Sequence, residues 1–153
     1  MPSCEEVPDS SSKTLASNRS LNIALLGYRS NPYSGGQGIY LRYLARALTN
    51  AGHKVDVISG EPYPELDAGI NLIKLPGLNL FAEEKPFQAL KWGHLLSATD
   101  LFEWLSFNSG GFPEPYTFGR RLLRHLQRYG CHYDVIHDNQ SLAPALLTLQ
   151  SRG

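Results

Sequence analysis

The sequence predicts an α/β domain in which a parallel sheet carries helices on both faces. Residues 21–28 are almost continuously apolar, as expected for a strand that is buried on both faces. A helical pattern to about Ala51 and a second apolar strand at 53–60 follow, so these segments form a βαβ unit with parallel strands. The 153 residues, 42% of them hydrophobic, suffice for one such domain, which we place at 21–153.

The remaining segments of the chain complete this prediction. Residues 1–20 are rich in Ser and carry charges without periodicity, which predicts a disordered tail. An alternating segment at 70–76 predicts a third strand at the edge of the sheet. A fourth strand is expected at 133–137, and a last helix from about Leu142.

Three amphipathic patterns predict how the other helices pack. In the first helix, four-residue spacing predicts one buried stripe formed by Tyr40, Tyr43, Leu44, Ala47, Leu48 and Ala51. In a helix at about 85–107, the spacing of Leu101, Trp104 and Leu105 favours buried core over a sugar- or lipid-facing wall. A helix at 117–129 carries a basic set for which a solvated face is favoured over contact with anionic lipid headgroups: Arg120, Arg121, Arg124 and Arg128.

Composition narrows the function classes. Lys and Arg (14) balance Asp and Glu (14), so a protein that holds nucleic acid mainly by its phosphates is disfavoured. No apolar run approaches the roughly 18 residues of a membrane span, and the first residues lack the pattern of a secretory signal. Cys4 and Cys131 form neither a disulfide framework nor a zinc site, which favours a cytoplasmic setting, with peripheral membrane contact as an alternative.

A glycine-rich segment lies between the first strand and the first helix, at Gly35, Gly36, Gln37 and Gly38. The first strand-to-helix turn of an α/β sheet is a common phosphate site, because the helix start offers free amides and a positive dipole end. The glycine spacing is neither the G-x-G-x-x-G dinucleotide fingerprint nor a P-loop. The alternative is a flexible loop with a glycine N-cap.

A second polar set follows the fourth strand, at His137, Asp138, Asn139 and Gln140. The carboxyl ends of parallel strands are where α/β proteins bind ligands. Turn formation, helix capping and a structural histidine are the alternatives for these residues.

Together, NIALLGYRSNPYSGGQG, IYLRYLARALTNAGHKVDVISG and YDVIHDNQSLAPALLTLQSRG resemble the N-terminal domain of glycosyltransferase family 4, which has the GT-B fold. The resemblance implies two Rossmann-like domains and transfer of a sugar, with retention, from a nucleotide sugar to an acceptor without a metal. It places Gly35, Gly36 and Gly38 beside the donor diphosphate and the acceptor, and the residues after the fourth strand on the acceptor side of the cleft. Most of the donor site, in a C-terminal domain, is missing from residues 21–153, and no catalytic residue is identifiable.

Two other functions stay open. A doubly wound sheet should continue to another strand after the last helix, so we expect a fragment, and a catalytically inactive product that only binds a ligand or partner is the first alternative. A nucleotide-dependent oxidoreductase on a similar fold is the second, and the missing dinucleotide fingerprint disfavours it.

Overall fold

A computed structural model describes residues 19–78 and 98–139. Outside these residues lie most of the predicted tail, the first part of the helix predicted at 85–107 and the helix predicted from Leu142. The described elements are β1 (Asn22–Gly27), α1 (Gln37–Asn50), β2 (Lys54–Ser59), β3 (Asn71–Lys74), α2 (Ala98–Asn108), α3 (Glu114–Tyr129) and β4 (Val135–Asp138). None of these helices combines the length and the apolarity that crossing a bilayer requires.

Within the described residues the strands form one parallel sheet in the order β3-β2-β1-β4. β1 lies inside the sheet, where Ile23 is paired with Val55 on one side and with Val135 on the other. β3 lies at one edge, as its alternating pattern predicted.

The alternating side chains of β1 reach two separate cores. Ala24 and Leu26 pack in one cluster with the α3 residues Phe118, Leu122 and Leu126. Ile23 and Leu25 pack in the other with the α1 residues Leu41 and Ala45. Because each face of the sheet is covered by a helix, the α/β fold with helices on both faces is confirmed.

The predicted buried stripe of α1 is centred on the wrong residues. Leu41 and Ala45 are fully buried, whereas Leu44 and Leu48 pack against the core only in part. Tyr40 and Tyr43 are exposed, as are Ala47 and the C-cap Ala51. Leu41 and Ala45 lie one turn apart and contact the sheet directly, so the tyrosines fall on the flank of the helix.

The prediction that Leu101 and Leu105 are core residues is also wrong, since both are exposed. α2 instead buries Thr99 and Glu103. The Glu103 carboxylate accepts a hydrogen bond from Arg121 of α3, which satisfies its charge inside the protein.

α3 begins at Glu114, three residues earlier than predicted, with Pro115 in its first turn, where proline is tolerated. Arg121 points inward to Asp100 and Glu103 of α2 and does not belong to a solvated face. The other arginines of the predicted set are exposed, as expected: Arg120, Arg124 and Arg128.

Candidate functional site

A cleft of about 490 Å³ lies between the start of α1 and the carboxyl end of β4. β1 lies between β2 and β4, so the sheet order reverses here, and ligands of α/β proteins bind at such a switch point. The start of α1 and the end of β4 both line the cleft, through Gly35, Gly36, Gln37, Tyr40, His137, Asp138 and Asn139. The fold therefore brings together the two polar sets that the sequence predicted separately.

The turn into α1 depends on glycines with left-handed backbone, since φ is 80° at Gly35 and 73° at Gly36. Gly36 is the N-cap, no side chain caps the helix, and its first turn holds no acidic residue. The positive end of the helix dipole therefore lies beside the cleft without a neutralising side chain from its own first turn. A Cβ on either glycine would meet nothing within 4 Å, so the backbone can be approached closely.

Gly38 is placed differently from its neighbours. It is buried and is not among the residues that line the cleft. A Cβ at Gly38 would lie 2.4 Å from the carbonyl oxygen of Asn31 and 2.5 Å from that of Ser30. Gly38 thus lets the start of α1 pack closely on the loop that follows β1.

The end of β4 is held in register with β1. His137 is paired with Leu25 in the sheet, and the backbone N–H of Asn139 donates to the carbonyl of Leu26 at 3.0 Å. Asn139 is 8% exposed, and its side-chain nitrogen has no hydrogen-bond partner within the described part of the chain. Gln140 lies outside the described residues.

Tyr40 is a cleft residue that the sequence analysis assigned to a buried stripe. Its ring centroid lies 6.4 Å from that of His137, and the tyrosine is 46% exposed. The sequence carried one signal for this position, because Tyr40 lies one helical turn after the N-cap Gly36 and so shares its face.

The cleft offers backbone amides, an imidazole, a carboxylate and side-chain amides. Such a set suits a ligand rich in hydroxyl or oxyanion groups. Over residues 19–78 and 98–139, no group of three or more His, Cys, Asp or Glu side chains is arranged to hold a metal ion.

A second depression, of about 280 Å³, adjoins the cleft and shares Gly35 and Gln37 with it. The loop after β1 supplies Arg29, whose Nη1 lies 3.7 Å from Oε2 of Glu114 at the start of α3. Burial raises the pKa of Glu114 to about 7, and the charge of Arg29 opposes this rise. Neither residue was predicted as a site residue. Arg29 is the first residue after the apolar segment 21–28, which is a usable signal, whereas nothing in the sequence near Glu114 indicates its contact with that loop.

The model of Glycosyltransferase Family 4 matches residues 34–153. An MMP alpha-(1->4)-mannosyltransferase of Mycolicibacterium hassiacum is 45% identical over 134 residues, which are 87% of this chain and 33% of that enzyme. The chain thus spans about a third of the length of this relative. The parallel α/β sheet is of the kind found in half of a GT-B enzyme. Because the family match covers most of its residues, the chain belongs to glycosyltransferase family 4.

Proposed function

We propose that this chain forms the acceptor-side part of a retaining glycosyltransferase that transfers a sugar from a nucleotide sugar to an acceptor. The cleft at the switch point carries the proposal, because an uncapped helix start and the polar end of β4 line it together. The similarity to a mannosyltransferase favours a mannosyl donor. That relative is much longer than this chain, which is consistent with a second domain holding most of the donor.

Each side of the cleft has its own proposed role. The amides of Gly35 and Gly36 stabilise charge that builds on the leaving phosphate, a task that the positive end of α1 performs without a metal. Gln37 lines the cleft beside them, and its backbone N–H donates to the carbonyl of Gly35 at 2.9 Å. Gly38 supports this loop by its close packing on Asn31.

The residues at the end of β4 bind the acceptor in this proposal. His137, Asp138 and Asn139 hydrogen-bond acceptor hydroxyls, and Gln140 follows them in the sequence. A nucleotide-sugar donor and two isolated cysteines favour a cytoplasmic site of action.

A transfer assay tests the proposal. The chain, in the longest polypeptide that its reading frame encodes, is incubated with a panel of UDP- and GDP-activated sugars, including a mannose donor, and with sugar acceptors. We expect release of nucleoside diphosphate and, by NMR, a product whose anomeric configuration matches that of the donor. His137→Asn should lower kcat/KM about tenfold or more, because it removes a cleft contact.

His132→Asn is the matched control, because His132 lies in a depression at the opposite end of the sheet, beside Lys54. Equal losses in the two variants would contradict the assigned site. Binding of NAD without turnover of any nucleotide sugar would favour the oxidoreductase alternative, and binding of acceptor without turnover would favour an inactive binding domain.

A further inference from the structure

The outer surface of α2 carries a cluster of large apolar side chains that the protein leaves exposed. Leu101, Phe102 and Leu105 form this apolar cluster, and Leu101 and Leu105 lie about one helical turn apart. The ring of Phe102 lies beside that of Tyr116 at the start of α3, with 5.6 Å between their centroids. The apolar cluster therefore extends onto α3 through Tyr116, which is also exposed. Exposed apolar surface of this kind marks sites of contact with proteins or membranes.

A row of arginines continues from the apolar cluster along α3. Three arginines follow Tyr116 at four-residue spacing and lie on the same face of the helix, namely Arg120, Arg124 and Arg128. All three are exposed, and the guanidinium carbon of Arg120 lies 5.9 Å from the centroid of the Tyr116 ring. At 1.5 Å per residue, this arginine row extends over about 12 Å. The apolar cluster and the arginine row thus form one continuous surface.

The acidic residues of α2 and α3 do not neutralise the arginine row. Asp100 and Glu103 of α2 both accept hydrogen bonds from Arg121, which points inward. Glu114 of α3 is 7% exposed and lies beside Arg29 in the loop after β1. Over residues 19–78 and 98–139, no member of the arginine row forms an ion pair with a carboxylate. A chain whose net charge is zero therefore concentrates positive charge at one surface.

We propose that the apolar cluster and the arginine row together bind the surface of a bilayer that contains anionic lipid. Guanidinium groups match the phosphate oxygens of lipid headgroups, and apolar side chains enter the boundary between headgroups and acyl chains. The apolar face of α3 is buried in the core, so the protein lies on the bilayer and α3 does not enter it.

The position of the apolar cluster favours a bilayer over water or a soluble acidic partner. The sequence favoured a solvated face for the arginine row while it assigned Leu101 and Leu105 to the core. Because both leucines are exposed, the arginines adjoin apolar surface that water does not stabilise. A soluble acidic partner would pair with the arginines alone, whereas a bilayer offers anionic groups and apolar chains side by side.

Co-sedimentation with vesicles tests the proposal on the polypeptide used in the transfer assay. One set of vesicles is phosphatidylcholine alone, and in the other about a third of the lipid is phosphatidylglycerol. Each arginine near an anionic surface contributes about fivefold, so we expect partitioning to be about a hundredfold higher on the anionic vesicles. Salt at about 1 M, which shortens the screening length from ~10 Å to ~3 Å, should remove most of this difference. A sample without vesicles corrects for self-association.

Paired variants separate this surface from the rest of the chain. Arg124→Gln should lower partitioning onto anionic vesicles about fivefold. Its control is Arg46→Gln, which changes the net charge equally but lies on α1, across the sheet from α3. Leu101→Ser should lower partitioning about threefold, and Ile39→Ser on α1 is its control, because the two side chains are similarly exposed at 40% and 44%. Both controls should bind as the unaltered chain does, and circular dichroism verifies that every variant is folded.

Four outcomes would overturn the proposal. Equal binding to the two kinds of vesicle, or none to the anionic ones, would exclude recognition of anionic lipid. Equal losses in Arg124→Gln and Arg46→Gln would assign binding to net charge. A loss in Arg124→Gln with none in Leu101→Ser would favour a soluble acidic partner, and sedimentation as large without vesicles would favour a second copy of the chain. Vesicle binding needs neither donor nor acceptor, so its failure is distinct from failure of the transfer assay.

Discussion

Gly35 and Gly38 lie three residues apart, yet they are glycines for different physical reasons. Gly35 has a left-handed backbone with open space around it, whereas Gly38 has no room for a Cβ beside Asn31. We expect Gly38→Ala to lower the free energy of unfolding by about 3 kcal/mol, because a buried methyl group would collide with two backbone carbonyls. Gly35→Ala should cost about 1 kcal/mol, the penalty of a left-handed backbone for alanine.

Urea unfolding followed by circular dichroism measures both losses on the chain itself. Similar losses in the two variants would show that Gly38 is not confined by the loop that follows β1. The effect on ligand binding by the folded protein should be larger for Gly35→Ala than for Gly38→Ala, because Gly35 lines the cleft and Gly38 does not.

One inward-pointing arginine of α3, Arg121, pairs with two carboxylates of α2. Arg121→Met should lower the free energy of unfolding by about 3 kcal/mol, because it leaves the Glu103 carboxylate buried without its guanidinium. The Glu103 side chain is 3% exposed, so water cannot replace the lost partner. Chemical denaturation of the variant and of the unaltered chain gives the difference.

Arg120→Met is the matched control, since the neighbouring Arg120 is exposed and its loss should cost less than about 0.5 kcal/mol. The double variant Glu103→Leu with Arg121→Met should recover most of the stability, because it replaces the buried pair by apolar side chains. A double variant as unstable as Arg121→Met would contradict the view that an unpaired carboxylate causes the loss.

The ion pair of Glu103 with Arg121 illustrates which features could not be predicted from the sequence. β1 could be recognised because burial on both faces requires an uninterrupted apolar run, and its two cores confirm that reason. The buried face of α2 could not, because Glu103 and Thr99 look like surface residues until Arg121 is brought from another helix. Likewise, the sequence located both ends of the cleft, whereas the contact of Glu114 with Arg29 arises from tertiary structure alone.

The whole molecule combines a net charge of zero with an exposed apolar surface on α2, α3 and the turn between them. This surface consists of large hydrophobic side chains that are each at least 40% exposed, namely Leu101, Phe102, Leu105, Phe112 and Tyr116. Apolar patches favour association, and repulsion between copies is weakest where the net charge vanishes.

Self-association of the chain should therefore be strongest near its isoelectric point of about 7.0 and should weaken toward pH 5 and pH 9. Leu105→Glu should lower light scattering at pH 7 about twofold, because it places a charge within the patch. Tyr129→Glu, which adds the same charge at a residue that is also highly exposed, on α3 but outside the patch, is the control and should have a smaller effect. Equal reductions would assign the association to net charge, since both variants change it by one unit, whereas a larger effect at Leu105 would assign it to the apolar surface of α2.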